Sequence, residues 1–273
     1  MKASSELSKN IDQINSVIEL ANGDSEIFAE TLRHKHIPHL SFSKVTSAEF
    51  CEYRYYLQYI ELVDPSPTPE YFTKGKLMHE LIAASYSRLA NGEEILVDAL
   101  EGKISDHYNS GESYRHLQNA LVVHLQNMWT DCDVIAVEEP FVMEVDPDLP
   151  PCVGVIDLVL KRDDEFIIVD HKTGRDFYPL DELQMGIYVQ YLQQKYGRGK
   201  FSFFYDSYRW VNNLDRIRKP AFQRSAVSLQ KNFWPTALER IRHGNAVIQS
   251  IERRKSARKY GECFRCPYKN NCW

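Results

Sequence analysis

No apolar run in the 273 residues approaches the ~20 that a membrane-spanning helix needs; the best, Phe-Ile-Ile-Val at 166–169, is far too short. Positions 4–15 are polar, with no apolar region of a signal peptide, so a soluble, cytoplasmic protein is expected. There is no internal repeat and no low-complexity tract. No GxxxxGK[ST] phosphate loop occurs, which excludes a helicase motor within the chain. What is present is ordinary globular composition, 43% hydrophobic and 26% charged, which rules out disorder and collagen-like structure. A chain of this length buries a core without disulfide staples.

Net charge is −5, but its distribution is uneven. Residues 198–273 hold 17 Lys and Arg against 5 Asp and Glu; residues 1–197 hold 16 against 33. Such segregation predicts a basic surface for phosphate binding. The alternative is a basic helix covered by acidic neighbours.

Residues 1–40 read as an N-terminal helical extension, with Ile11, Ile14, Val17 and Ile18 at weak helical spacing. A helix is expected over 46–60, stopped by Pro65, Pro67 and Pro69, and another over 74–89, ending at Asn91–Gly92. Further helices are expected over 93–130. Strands follow at 134–145, 153–161, 166–169 and 201–211, with helices at 180–196 and 231–254. That order predicts an α/β fold, a mixed central sheet flanked by helices, in one domain over 41–273.

The chemistry centres on Gly154-Val-Ile-Asp157 and Ile168-Val-Asp170-His-Lys172. If Asp163–Asp164 is a two-residue turn, Arg162 pairs with Glu165, and counting outward sets Asp157 opposite Asp170. Lys172, two residues on, shares that face, and His171 points away. Paired carboxylates repel unless a cation lies between them, and oxygen ligands without a nearby thiolate suit Mg²⁺ or Mn²⁺. The alternative is a pair of solvent-facing aspartates on a surface hairpin. The apolar flanks Ile156, Leu158, Leu160 and 166–169 argue for a buried sheet instead.

Gly-x-x-Asp followed by Asp-x-Lys-Thr-Gly resembles the PD-(D/E)XK nuclease superfamily, and within it the RecB-like branch, over about residues 40–273. The resemblance implies a restriction-endonuclease-like fold. Gln184 and Tyr188 match that branch's Gln-x-x-x-Tyr, and His79 in Gly75-Lys-Leu-Met-His79 matches its metal-binding histidine. It further implies that His79, Asp157, Asp170 and the carbonyl of His171 hold the metal. Lys172 would be the catalytic lysine, with Gln184 and Tyr188 positioning the DNA strand or the lysine. Glu80 is a rival ligand to His79.

Three of the six cysteines, Cys263, Cys266 and Cys272, crowd the last residues, and Cys51 is the candidate fourth of a set. This arrangement resembles a subset of RecB-like nucleases, including AddB-type subunits and CRISPR-associated exonucleases. There, one cysteine before the nuclease core and three after it bind a [4Fe–4S] cluster, here a clasp joining the C-terminal tail to the N-terminal helix. A four-thiolate zinc site is the rival. Cys132 and Cys152 read as buried thiols. Tyr53, Tyr55, Tyr56 and Tyr59 with Arg54, and Arg209–Trp210, are either a base-stacking surface or core packing.

The resemblance implies a divalent-metal-dependent deoxyribonuclease, an exonuclease on single-stranded or frayed DNA ends. Its partners would be DNA and CRISPR adaptation or recombination proteins, with no membrane. The CRISPR-associated type trims DNA before spacer integration. The alternatives are a phage or recombination/repair nuclease of the same fold, a non-catalytic DNA- or partner-binding module, and a zinc-bound regulatory protein.

Overall fold

A computed structural model describes residues 2–65, 67–177, 181–197, 199–229, 232–254, 263 and 266–272. Helices α1 (Lys2–Ala21), α2 (Ser25–Lys35), α3 (Phe42–Phe50) and α4 (Glu52–Tyr55) run into a π-helical turn (Tyr56–Ile60). Helices α5 (Glu70–Ala90), α6 (Val97–His107) and α7 (Gly111–Asn127) follow. Strands β1 (Asp133–Met143), β2 (Cys152–Arg162) and β3 (Glu165–Gly174) come next, then α8 (Glu182–Tyr196), β4 (Lys200–Arg209) and β5 (Phe222–Val227). Helices α9 (Phe233–Arg254) and α10 (Lys269–Cys272) end the described chain. No helix among the described residues is long and apolar enough to cross a membrane.

The sheet is mixed, in the order β1-β2-β3-β4-β5, antiparallel except where β4 lies parallel to β3. That parallel pair needs a crossover, which α8 supplies. Side chains of β2 and β3 divide between two cores. Leu158, Leu160, Ile167 and Val169 pack with Leu77, Leu81 and Leu117 under α5–α7. Val159 and Ile168 pack with Ile187, Ile241 and Val45 under α8, α9 and α3. The expected mixed sheet flanked by helices is therefore what forms. Residues 1–40 are docked rather than dangling, since Ile14, Val17, Phe28 and Leu32 bury themselves against Val153 of β2.

One local expectation changes, and one strand is added. The helix expected over 46–60 breaks at Cys51, whose backbone is extended (φ −163°, ψ 117°). Cys51 N donates to Ser47 O and Cys51 O accepts from Tyr55 N, so both flanking helices keep their end bonds while the chain changes direction. Strand β5 went unread because it is a six-residue edge strand. Leu180 and Lys231, the expected first residues of two helices, lie outside the described residues.

The β2–β3 turn forms as expected, with Arg162 paired to Glu165 and Asp163 at a left-handed φ of 52°, which aspartate tolerates. The ladder then runs only to Leu158–Val169. Direct opposition of Asp157 and Asp170 is therefore not part of it. Beyond Leu158 and Val169, β2 stays with β1 as far as Cys152, and β3 stays with β4 as far as Gly174. The sheet forks. Other groups serve the exposed edge of β2: Leu40 bridges Cys152, giving its N–H to Pro151 O and taking that of Val153. Tyr188 Oη donates to Val155 O at 2.9 Å, and the Asp157 carboxylate accepts from His171 N at 2.7 Å.

Gly154 lies on this forked stretch, paired with Phe141. A Cβ there would come within 2.7 Å of two ring carbons of Phe141, itself 1% exposed. Gly154→Ala should therefore destabilise the fold by about 1–3 kcal/mol through overpacking, read as a lower thermal midpoint. Phe141→Leu added to it should recover part of the loss. A Gly154→Ala protein as stable as its parent would show that the ring has room to yield.

Candidate active site

Strands β1 and β2 change phase together beside the fork. Val137 and its partner Leu158 face the α5–α7 core, whereas Ile156, two residues before Leu158, lies in the opposite core. Regular strands keep residues i and i+2 on one face, so the pair rotates between these positions. Glu138 carries the kink, with a left-handed φ of 49°. Strain of this kind in a non-glycine residue clusters at functional sites.

The kink brings Glu138 to Asp157 and to His79 of α5. Ligand atoms of these three lie within 4.8 Å of one another, and His79 Nδ1 is 3.7 Å from Asp157 Oδ2. Burial pushes the Glu138 carboxyl up to about 8, with Asp157 and Asp170 adding repulsion and a Ser25 hydrogen bond opposing it. Sequence reading missed Glu138; its one signal was a Glu138–Glu139 pair in an otherwise apolar strand. The rival Glu80 is exposed and belongs to no such cluster among the described residues.

Across the fork, Asp170 is 1% exposed. Its Oδ1 accepts from Gln184 Nε2 at 2.8 Å, and its Oδ2 lies 2.6 Å from Lys172 Nζ. Gln184 Oε1 accepts from Lys172 Nζ at 2.9 Å, and Gln184 Nε2 also donates to Tyr188 Oη at 2.8 Å. The i, i+4 spacing on α8 makes Gln184 and Tyr188 one unit, locking Asp170 and Lys172 together. Burial raises the Asp170 carboxyl to about 6, so desolvation and the Asp157 charge outweigh the Lys172 ammonium. Burial alone would lower the Lys172 pKa, but Asp170 and Asp157 hold it above its usual value.

The His171 side chain points away, as expected, stacked on Tyr86. Neither ring nitrogen has a hydrogen-bond partner among the described residues, and burial drives its pKa well down. A cleft of about 1190 Å³ opens over the site, lined by His79, Asp157, Asp170, Lys172, Gln184 and Tyr188 among others.

These residues fit a divalent metal ion. Three carboxylates and an imidazole are hard or borderline donors suited to Mg²⁺ or Mn²⁺. Asp170 Oδ2 is buried and makes no well-directed hydrogen bond despite its closeness to Lys172. Glu138 and Asp170 resist ionisation, the condition a cation relieves.

The four cysteines of the expected clasp are less closely gathered. Cys266 and Cys272 pack with Tyr53 and Leu57, beside the extended Cys51, while Cys263 is exposed. No three cysteine sulfurs among the described residues lie within 4.8 Å of one another. Cys152 is buried, as expected, but Cys132 only partly so. Tyr55 and Trp210 are core residues at 2% and 7% exposure, which favours the packing alternative for those aromatics. Three cations of the basic last quarter are paired with acidic neighbours. Arg240 pairs with Glu49 and Asp181, Arg242 with Asp146, and Arg224 with Asp206. The described part of α9 is thus a basic helix covered by acidic neighbours; residues 255–262, with Lys255, Arg258 and Lys259, lie outside the described residues.

Residues 39–273 match the family model of the PD-(D/E)XK nuclease superfamily. No curated protein matches the sequence. Among solved structures, a candidate exonuclease from Eubacterium rectale is similar, with a TM-score of 0.53 at 10% identity over 84% of this chain and 86% of that one. The structure of SSO0001 gives a TM-score of 0.41 at 16% identity over 89% and 93%. The former likeness is one of fold.

The raised carboxyls make a stability prediction. A folded-state pKa above the unfolded one means the folded chain binds more protons, so stability falls as pH rises between the two. For Glu138 that window runs from its ordinary 4.5 to about 8, and for Asp170 from 3.8 to about 6. In chelator-treated protein the thermal midpoint should fall across these windows. Glu138→Gln should flatten the fall above pH 6 and raise the midpoint at pH 8. An unchanged profile would place the Glu138 carboxyl in solvent.

Proposed function

The chain belongs to the PD-(D/E)XK nuclease superfamily, whose members are generally metal-dependent nucleases. From that premise we propose that it is a divalent-metal-dependent deoxyribonuclease acting on single-stranded or frayed DNA ends. The carrying observation is Lys172 Nζ held 2.6 Å from Asp170 and 2.9 Å from Gln184 at the forked edge, with Asp157, Glu138 and His79 beside it. The pathways this reading admits are CRISPR spacer acquisition and, as the alternative, phage replication or recombination and repair.

In this reading His79, Glu138, Asp157 and Asp170 hold Mg²⁺ or Mn²⁺, with the His171 carbonyl as a further ligand. A divalent ion held there would supply Lewis-acid polarisation of a phosphate oxygen and a lower pKa for a water molecule. The chain does the positioning. Gln184 Oε1 accepts from the Lys172 ammonium and the Asp170 carboxylate faces it as an ion pair, which fixes the ammonium and leaves N–H capacity for a phosphate oxygen or the attacking water. Lys172 is 39% exposed in its side chain, so that direction reaches the cleft. Tyr188, anchored on Val155 O, keeps Gln184 from rotating.

Labelled single-stranded DNA should be degraded only with Mg²⁺ or Mn²⁺, and Asp157→Ala or Asp170→Ala should abolish turnover. Lys172→Ala should lower turnover by about 10²–10³ with DNA affinity little changed, the loss of a charge that acts in the transition state. DNA binding without turnover in any divalent metal would leave a binding module instead. Lost affinity with unchanged turnover in Lys172→Ala would make that lysine a tether.

We also propose Cys51, Cys263, Cys266 and Cys272 as ligands of a [4Fe–4S] cluster. The four-thiol donor set and the packing of Cys266 and Cys272 on the turn after Cys51 support it. Protein purified without oxygen should be brown, with a broad band near ~400 nm that Cys51→Ala bleaches. Colourless protein with one stoichiometric zinc would replace the cluster by a zinc clasp.

A further inference from the structure

The tyrosines that the sequence offered for base stacking are mainly packing residues. Two other aromatics are not. Tyr71 and Phe72, in the first turn of α5 after the proline-rich loop, are 51% and 43% exposed, with ring centroids 4.6 Å apart. Phe72 lines the same cleft as Asp157, Asp170 and Lys172, together with Thr68 and Pro65 of the preceding loop.

Phe72 is also in phase with the site. It precedes His79 by seven residues, two helical turns, so both point from one face of α5. At 1.5 Å rise per residue they stand about 10 Å apart along the helix. Stacked nucleotides rise ~3.4 Å each, so a strand whose phosphate sits at His79 presents a base to Phe72 about three nucleotides away. Lys44 and Arg54 line the cleft as well and offer charge to a phosphate backbone.

We propose that Phe72, with the Tyr71 ring against it, forms a stacking platform at the cleft mouth for the bases of a single DNA strand. It holds the strand in register about three nucleotides from the metal-binding residues. This inference rests on the nuclease reading above and deepens it. Stacking needs an unpaired base, so the platform selects single strands and frayed ends over intact duplex. It is indifferent to sequence, because every base has a π-face.

The test is fluorescence anisotropy with a short labelled single-stranded oligonucleotide, with Ca²⁺ replacing Mg²⁺, alongside cleavage assays with Mn²⁺. Phe72→Ala should weaken binding about tenfold, the scale of one lost base stack, whereas Phe72→Trp should retain it. An abasic site moved along the oligonucleotide should weaken binding to the parent at one position, and that sensitivity should vanish in Phe72→Ala. Equal affinity and equal abasic response in parent and Phe72→Ala, with cleavage intact, would overturn the platform alone and leave the patch for a protein partner. A parent protein that neither binds nor cleaves DNA would overturn the nuclease reading and the platform with it.

Discussion

The fork between β2 and β3 is the constraint from which the site follows. Where two strands part inside a folded domain, their facing N–H and C=O groups must find other partners or carry a desolvation cost. Here the substitutes are side chains and a stray backbone segment. Leu40 pairs with the start of β2, Tyr188 takes the Val155 carbonyl, and Asp157 takes the His171 amide. Two of these groups are the polar atoms around which the candidate chemistry is arranged. A continuous ladder would have left no room for the Asp170–Lys172–Gln184 network. On the closed side of the forked stretch, Gly154 lets β2 stay paired with β1, since a larger residue would meet the Phe141 ring.

A second consequence concerns charge. The basic last quarter and the acidic remainder look like a binding surface and its opposite when read along the chain. Folding sets them against each other instead. Arg240 of α9 reaches both Glu49 of α3 and Asp181 at the start of α8, tying three helices on one face of the sheet. Arg224 of β5 grips the buried Asp206 of β4 through two hydrogen bonds and stacks on Trp129 at 3.9 Å. Buried or half-buried pairs of this kind are costly to break from one side. Arg224 and Arg240 therefore hold the architecture, and among the described residues the cleft is lined by the cations Arg33, Lys44, Arg54 and Lys172.

How far the sequence could be read depends on how local each determinant is. The turn at Asp163–Asp164 and the Arg162–Glu165 pair are set by four adjacent residues, and they are as counted. Gln184 and Tyr188 needed only helical spacing to share a face with each other, and their meeting with Asp170 followed from the crossover. The fork was not legible, because it depends on β1 and β4 each keeping one strand of the hairpin. Nor was Glu138, because alternation presumes a regular strand and Glu138 is where regularity fails. The break at Cys51 is similar. The residues before Cys51 and the tyrosine-rich run after it continue a helical spacing, yet the Cys51 backbone is extended between two helices.

The composition of the site also says which ion it suits. Of the proposed site residues, Glu138, Asp157 and Asp170 contribute three negative charges when ionised and Lys172 one positive charge, and His79 would bind as a neutral ligand. The resulting charge of −2 is cancelled by a divalent cation and left half-compensated by a monovalent one. Without an ion, burial and the neighbouring carboxylates raise Glu138 to about 8 and Asp170 to about 6. If the proposed ion binds there, it would displace the proton that Glu138 holds below that value, and affinity would rise with pH until that carboxyl is ionised. Lys172 does not share this fate. Its partners raise its pKa, so it keeps its charge through the same range and remains the fixed positive group beside the exchangeable one.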